Sequence, residues 1–158
     1  MHNLSEFDSK GLAAALAACR EGMDAGQAPF GAAIGLNETL VAIAHNTGSR
    51  DHDPTAHAEV NAIRRACSTI GTTKLDGATL FSSCEPCPMC FSAAVFAGIR
   101  RFVWSASVDD AKAAGMTRLQ VSNAVMIEAT GEQVEVIDRV RHDEGVVLLT
   151  TWRARQAT

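Results

Sequence analysis

Apolar side chains recur at helical and strand spacings along the chain, and these spacings predict its secondary structure. In the N-terminal part they predict an amphipathic helix over Lys10–Ala25 that ends near Gly26. The apolar stripe of this helix consists of Leu12, Leu16, Cys19 and Met23. Two short apolar runs follow, Phe30–Leu36 and Leu40–Ala44, and the turn between them predicts a β-hairpin.

Further helices and strands are predicted to alternate after this hairpin. A second helix should begin at Asp53-Pro54, because aspartate is a good N-cap and proline suits the first helical position. Its buried stripe is predicted to be Val60, Ile63, Cys67 and Ile70. The later predicted elements are a strand Ala78–Ser82, a helix Pro88–Ala97, a strand Arg101–Ser105, a helical turn Asp109–Gly115, a strand Val134–Ile137 and a helix Val140–Ala154. The pattern is least regular over 106–132.

The alternation of strands and helices predicts an α/β fold in one layered domain. Helical crossovers favour parallel strand pairs, and the hairpin adds an antiparallel pair, so the sheet should be mixed. The 158 residues fit a single domain over 1–158. With 47% apolar and 20% charged residues, the chain can build a core and is not expected to be disordered.

Charge and hydropathy narrow the functional classes. No apolar run approaches the roughly 20 residues of a membrane span, and residues 1–11 lack the pattern of a secretory signal. We therefore expect a soluble cytoplasmic protein. The net charge is −4, whereas proteins that bind nucleic-acid phosphates usually carry a basic face. Nucleic acid is therefore the less favoured partner.

Three of the five cysteines fall within seven residues, namely Cys84, Cys87 and Cys90. An odd number of cysteines in a cytoplasmic chain argues against a disulfide framework. A Cys-x-x-Cys pair by itself is compatible with a redox pair, half of a structural zinc site or two buried thiols. These cysteines indicate a function only in combination with a second motif elsewhere in the sequence.

The second motif is His57-Ala58-Glu59, which lies upstream of Pro86-Cys87-Pro88-Met89-Cys90. Thirty positions separate His57 from Cys87. Three nitrogen or sulfur ligands with one open position are typical of catalytic zinc, whereas structural zinc normally has four protein ligands. The two halves match the zinc-deaminase signature H-x-E…P-C-x-x-C. We therefore predict Zn²⁺ held by His57, Cys87 and Cys90. The alternative is a four-ligand structural site completed by Cys84.

Glu59 is the predicted catalytic residue. It lies near the inner face of its helix, where a carboxylate is costly unless something compensates it. A water molecule on the zinc ion would explain a carboxylate at this place, because Glu59 can take its proton and deliver protons to the substrate nitrogen and the leaving amine. Partial desolvation should raise the pKa of Glu59 toward a useful range.

At these residues the sequence resembles the cytidine deaminase superfamily, in particular its branch of guanine, cytosine and tRNA-adenosine deaminases. The resemblance covers about Leu12 to Trp104. It is strongest at Pro29-Phe30-Gly31-Ala32, His45-Asn46, 53–59 and 83–90. It implies a three-layer α/β/α sandwich with a five-stranded mixed sheet, a zinc-activated hydroxide, and a dimer or higher oligomer.

The resemblance also implies substrate contacts. Asn46 would hydrogen-bond the substrate ring, or it could merely be a turn residue that closes the strand. The backbone N–H of Ala58 would bond an oxygen or ring atom near the zinc. Phe30 and Phe96 could stack on a planar ring, or could belong to the core.

The sequence motifs do not agree on one substrate. The Pro-Phe-Gly-Ala and Cys-Glu-Pro-Cys segments look most like bacterial guanine deaminases, but the acidic pair of that group is missing at 114–118. Asp109 and Asp110 could replace it, or could only cap a helix. The region 134–155 looks more like cytosine and tRNA-adenosine deaminases. We expect deamination of a free nucleobase or a triazine-like ring, in a homodimer. The alternatives are a tRNA adenosine deaminase and a catalytically idle, zinc-stabilised interaction module.

Overall fold

The computed structural model describes residues 4–116 and 119–158. No helix among these residues is long and apolar enough to cross a membrane. The helices are α1 (Glu6–Asp24), α2 (Gly48–Asp51), α3 (Ala58–Ile70), α4 (Pro88–Phe96), α5 (Val108–Ala113), α6 (Asn123–Thr130) and α7 (His142–Gln156). The strands are β1 (Gly31–Leu36), β2 (Thr39–His45), β3 (Thr79–Cys84), β4 (Arg101–Ala106) and β5 (Glu135–Ile137).

The strands form one mixed sheet in the order β2-β1-β3-β4-β5. β1 is antiparallel to both β2 and β3, whereas β3, β4 and β5 run parallel. α1 and α7 pack on one face of the sheet, and α3 and α4 belong to the layer on the other. The predicted three-layer α/β/α sandwich with a five-stranded mixed sheet is thus confirmed.

Apolar residues fill the space on both faces of the central strands. On the side of α1 the core includes Leu16 and Phe81, and on the side of α3 and α4 it includes Leu80, Phe91 and Phe102. All six residues of β3 are buried. Such two-sided burial is expected for parallel strands covered by helices, and it makes any polar side chain in β3 informative.

Two predicted helix boundaries were wrong. α1 begins at Glu6 and not at Lys10, because Ser5 and Asp8 form a reciprocal capping box. The second long helix begins at Ala58 and not at Asp53-Pro54. The Asp53 carboxylate accepts hydrogen bonds from the Thr55 backbone and hydroxyl, so it closes a local turn instead of capping the helix.

Other departures from the predicted pattern occur where apolar periodicity is weak. Ile70 is 40% exposed at the end of α3, so it does not extend the buried stripe. The sequence pattern did not predict the short α2, nor α6, in which only Asn123 is buried. The predicted helical turn at 109–115 corresponds to α5, and the last helix starts at His142, two residues after the predicted start.

Candidate active site

The candidate site lies at one edge of the sheet. Because β3 and β4 are parallel, their last residues, Cys84 and Ala106, are paired neighbours. β1 runs the other way, so its first residue, Gly31, pairs with the last residue of β2, His45, at the same edge. Ligand sites of open α/β sheets commonly form outside the carboxyl ends of strands. The segments flanking these strand ends carry Phe30, Asn46 and Cys87.

Three donor atoms meet at this edge. His57 Nδ1 lies 3.6 Å from Cys87 Sγ and 3.5 Å from Cys90 Sγ, and the two sulfur atoms are 3.6 Å apart. Tetrahedral zinc with its usual bond lengths requires about 3.8 Å between two sulfurs and about 3.6 Å between sulfur and nitrogen. The three donors therefore fit a zinc ion as they stand. Within the described ranges they form the one group of such donors with metal-binding geometry.

Two helix starts bring the donors together. His57 is the N-cap of α3 and Cys87 the N-cap of α4, and neither side chain caps its own helix. Cys90 lies one turn further along α4, so its sulfur can face the same point. A helix N-terminus favours negative charge and hence thiolate. Hydrogen bonding with Cys90, together with His57, lowers the pKa of Cys87 to about 4 despite partial burial. The site thus presents negative charge to a cation.

The position of Cys84 separates a catalytic site from a structural one. Cys84 is not part of the donor group, and its thiol donates to the Ser107 carbonyl at 3.6 Å. Burial, followed by the charges of Glu59 and Glu85, raises the pKa of Cys84 well above its usual value. The thiol is thus engaged with a backbone oxygen outside the donor group. The donor set therefore has three members and leaves one position open, as catalytic zinc sites do.

Glu59 is the second residue of α3 and is 4% exposed. Ser82 Oγ donates to Glu59 Oε1 at 3.1 Å, and the Cys90 thiol donates to Glu59 Oε2 at 3.4 Å. Burial, followed by the negative charge of Cys87, raises the pKa of Glu59. The direction agrees with the sequence prediction. A carboxyl with a raised pKa can both accept and return a proton closer to neutral pH.

A cleft of about 610 Å³ opens in front of these groups. Its lining includes His57, Glu59 and Cys87, together with Phe30 and Asn46. This volume falls within the usual range for small-molecule sites. The lining also includes residues from later parts of the chain, here called the outer wall because Leu119 is 73% exposed. They are Met116, Leu119, Gln120, Trp152 and Gln156.

Hydrogen bonding fixes what Asn46 can offer a ligand. The Gly48 backbone N–H donates to Asn46 Oδ1 at 3.1 Å, so the amide oxygen is engaged and the NH₂ group is left to donate to other acceptors. Ala58 is the first residue of α3, between His57 and Glu59. The N–H groups of a first helical turn have no intrahelical acceptor. Both groups can therefore donate to an acceptor on a bound ring.

The structure does not bring Phe96 to this cleft. Phe96 is the last residue of α4 and is 77% exposed. α4 starts at the three donors His57, Cys87 and Cys90, here called the metal-binding cluster, and it runs for nine residues. Such a helix is about 13 Å long. A stacking role for Phe96 within its own subunit is therefore a correction to the sequence prediction, whereas Phe30 does line the cleft.

Asp109 and Asp110 also serve elsewhere. Asp109 is exposed on α5, and Asp110 completes the capping box of that helix with Ser107. Asp110 also lies 2.8 Å from His142 Nε2. Neither aspartate lines the cleft, so neither replaces the acidic pair of guanine deaminases, and Asp110 acts in helix capping. Of the stretch 114–118, Thr117 and Arg118 lie outside the described residues.

The sequence did not predict several residues of the site. Trp152 and Gln156 line the cleft from α7, four positions apart and hence on one side of the helix. Their spacing was a usable signal, but α7 carries no clear apolar stripe to orient it. Ser82 is a hydroxyl in a strand buried on both faces, and this mismatch was also visible once β3 had been predicted.

Comparison with known proteins adds to this geometry. The profile of the cytidine and deoxycytidylate deaminase zinc-binding region matches residues 5–106. A guanine deaminase of Bacillus subtilis is 45% identical over 96 residues, which is 60% of this chain and 62% of that protein, slightly under two thirds. A tRNA-specific adenosine deaminase of the same organism is 32% identical over 130 residues, covering 82% of this chain and 78% of that protein.

A solved structure extends the similarity to almost the whole chain. The guanine deaminase of Nitrosomonas europaea superposes with a TM-score of 0.84 at 26% identity, covering 96% of this chain and 86% of that one. The matched profile includes His57, Glu59, Cys87 and Cys90, the residues that meet at the sheet edge. This chain belongs to the family of cytidine and deoxycytidylate deaminases defined by that zinc-binding region.

Proposed function

We propose that this chain is a zinc-dependent aminohydrolase that deaminates a free nucleobase or a related amino-heterocycle, with guanine, cytosine and s-triazine-like rings as candidates. The observation that carries the proposal is a three-donor zinc geometry beside a buried glutamate in a small cleft. In the reaction, water adds to the ring carbon that bears the amine. The C–N bond then breaks, ammonia leaves, and the ring keeps a carbonyl oxygen.

His57, Cys87 and Cys90 are the proposed zinc ligands. A bound zinc ion supplies Lewis acidity, which makes a water molecule a competent nucleophile near neutral pH. Glu59 is the proposed proton carrier, since it lies beside the donor cluster and has a raised pKa. It accepts one proton of the attacking water and delivers it to the ring nitrogen, and it then carries the remaining hydroxyl proton of the adduct to the leaving amine.

The remaining cleft residues orient the ring. Phe30 offers an aromatic face for stacking, and Asn46 and the Ala58 backbone offer N–H donors. These donors require acceptors on the substrate edge, such as a ring nitrogen or a carbonyl oxygen. A planar amino-heterocycle has both an aromatic face and such acceptors.

The outer wall of the cleft favours a free ring over a polynucleotide. Trp152 and Gln156 of α7 line the cleft, and Trp152 also packs against the core beside α1. The wall is therefore part of the folded domain. A tRNA stem-loop would need an open approach and a basic surface for its phosphates, whereas the net charge of the chain is −4.

Deamination of tRNA adenosine is the second candidate. Its support is specific, because the tRNA-specific adenosine deaminase aligns with 82% of this chain and the guanine deaminase with 60%. Ammonia release from cytosine, guanine, adenine, triazines, cytidine, guanosine and an adenosine-containing stem-loop separates the two. Turnover of at least one free ring is expected. Efficient turnover of the stem-loop alone would favour the second candidate, and no turnover at all would favour an idle interaction module.

A homodimer and a cytoplasmic location complete the proposal. α4 contains no charged residue, and it packs against α6. Phe96 and Val125 are 77% and 53% exposed, which suits a contact with a second subunit. All five cysteines are free, as expected in a reducing compartment.

Light scattering of the purified protein tests the subunit contact. A dimer that becomes monomeric in Phe96→Glu is expected. A monomeric wild-type protein at micromolar concentration would remove the homodimer from the proposal.

A further inference from the structure

Two neighbouring serines in β3 are almost fully buried. Ser82 is 1% exposed and Ser83 is 3% exposed. Because side chains alternate along a strand, the two hydroxyls point to opposite faces of the sheet. Ser83 Oγ accepts the Gly31 backbone N–H at 3.0 Å, whereas Ser82 Oγ donates to Glu59 at 3.1 Å. Only one of these hydroxyls therefore contacts a group with a proposed chemical role.

The layer around Ser82 is otherwise apolar. Ser82 pairs with Ala32 on β1 and with Trp104 on β4, both of which are buried. A hydroxyl in such a layer costs free energy unless it is hydrogen-bonded, and its bond here goes to a carboxylate, which is a strong acceptor. The position thus serves the hydrogen bond more than the packing of the core.

This bond also distinguishes the two oxygens of Glu59. Oε1 is held by the sheet through Ser82, and Oε2 faces the metal-binding cluster through Cys90 at 3.4 Å. A glutamate side chain has three rotatable bonds, so a carboxylate without an anchor can turn away from the reacting atoms. Because β3 is the central strand of the sheet and all six of its residues are buried, the Ser82 hydroxyl can anchor that carboxylate.

We propose that Ser82 is a positioning residue that holds the Glu59 carboxylate in its proton-transferring orientation. The inference rests on the proposed function, because it takes Glu59 as the proton carrier. Ser82 itself does not touch the substrate or exchange a proton. It acts through the orientation of Glu59, so its loss should reduce the rate of the chemical step and leave substrate binding intact.

The test compares Ser82→Ala with Ser83→Ala, which removes an equally buried hydroxyl from the next position of the same strand. For Ser82→Ala we expect kcat to fall by about ten- to hundredfold, the range that small misplacements of catalytic groups produce, with KM and zinc content unchanged. Ser83→Ala should keep its kcat. Equal kcat values for the two variants would overturn the proposal, since a merely structural role predicts similar behaviour.

Two further measurements keep the proposal testable if the alanine variant folds poorly. Ser82→Thr keeps the hydroxyl in a residue that suits strands, and it should retain kcat within a few fold of wild type. A Thr variant that folds normally but is as slow as the alanine variant would overturn the proposal. Crystal structures of both alanine variants should show a displaced Glu59 carboxylate in Ser82→Ala alone.

The Glu59→Gln variant separates failure of this inference from failure of the proposed function. If Glu59→Gln keeps its turnover, Glu59 is not the proton carrier and the proposed function loses its mechanism. If Glu59→Gln is inactive and Ser82→Ala matches Ser83→Ala, only the role of Ser82 fails. Adding Ser82→Ala to Glu59→Gln should cause no further loss, because Ser82 acts through that carboxylate.

Discussion

Replacing Glu59 by glutamine removes the proton carrier and leaves its surroundings almost unchanged. The amide has nearly the shape of the carboxylate, and its oxygen can accept the Ser82 hydrogen bond now made to Oε1 at 3.1 Å. The new NH₂ group then faces Cys90, whose sulfur lies 3.4 Å from Oε2. An amide N–H can donate to a thiolate, so neither the fold nor the metal-binding cluster should be disturbed.

The expected loss follows from the number of proton transfers. General acid–base catalysis by one side chain typically contributes about 10²–10⁴-fold, and this reaction moves protons to two nitrogens. We therefore expect kcat of Glu59→Gln to fall by at least about 10³-fold. KM should change little, because the ring contacts come from Phe30, Asn46 and Ala58. Steady-state ammonia release from an accepted substrate, with enzyme concentration normalised to zinc, measures both parameters.

Zinc content distinguishes this interpretation from simple damage to the site. Removing a negative charge beside two sulfur ligands should leave one zinc per chain, measured by atomic emission, and the melting temperature should stay close to wild type. A variant with full zinc content and near-normal kcat would show that another residue carries the protons. A variant that loses zinc would mean that Glu59 mainly supports the metal-binding cluster.

Three other perturbations test separate parts of the structure. Cys84→Ser should keep one zinc per chain, because that thiol lies outside the donor group; loss of zinc in metal analysis would restore the four-ligand alternative. Gly31→Ala should lower the free energy of unfolding, measured with urea, by about 1–3 kcal/mol or more. Its new Cβ would overlap the backbone of α1, and a backbone cannot move aside as a side chain can. Burial alone would raise the pKa of Asp8, but hydrogen bonds from Arg101 and Ser5 hold it below the usual value of 3.8. The stability that this carboxylate contributes is therefore fully present above pH 3.8 and is lost as the pH falls through the lower folded-state pKa. Asp8→Asn should therefore make the urea midpoint less dependent on pH at the acid end of a series from pH 7 to 3.

The layered fold and the metal-binding cluster were both predictable from the sequence. Strands buried on both faces give continuous apolar runs, and amphipathic helices give apolar stripes, so most elements were placed correctly. The cluster was predictable because a ligand set depends on residue types at fixed spacings. His57, Cys87 and Cys90 match such a set by type and spacing, and their donor atoms lie within 4.8 Å of one another in the structure.

The rest of the site depends on contacts that spacing does not encode. Asp53 could cap a helix or close a turn, and only its bond to Thr55 decides between them. Phe96 and Phe30 were equivalent as aromatic residues, yet one ends a helix pointing away from the cleft and the other precedes a strand at its edge. Trp152 joins the cleft through tertiary packing of α7, which no local pattern determines.

His57 and Cys87 occupy the N-cap positions of two helices and cap neither of them. Serine or aspartate at such a position typically stabilises a helix by about 1 kcal/mol relative to a residue that makes no capping bond. At these two positions, therefore, the substitutions that would stabilise the metal-free domain are the ones that would abolish metal binding. Selection for thermal stability alone would erode the site at these two positions. Engineering of this scaffold for robustness should hold both positions fixed and take its gains from surface helices and loops.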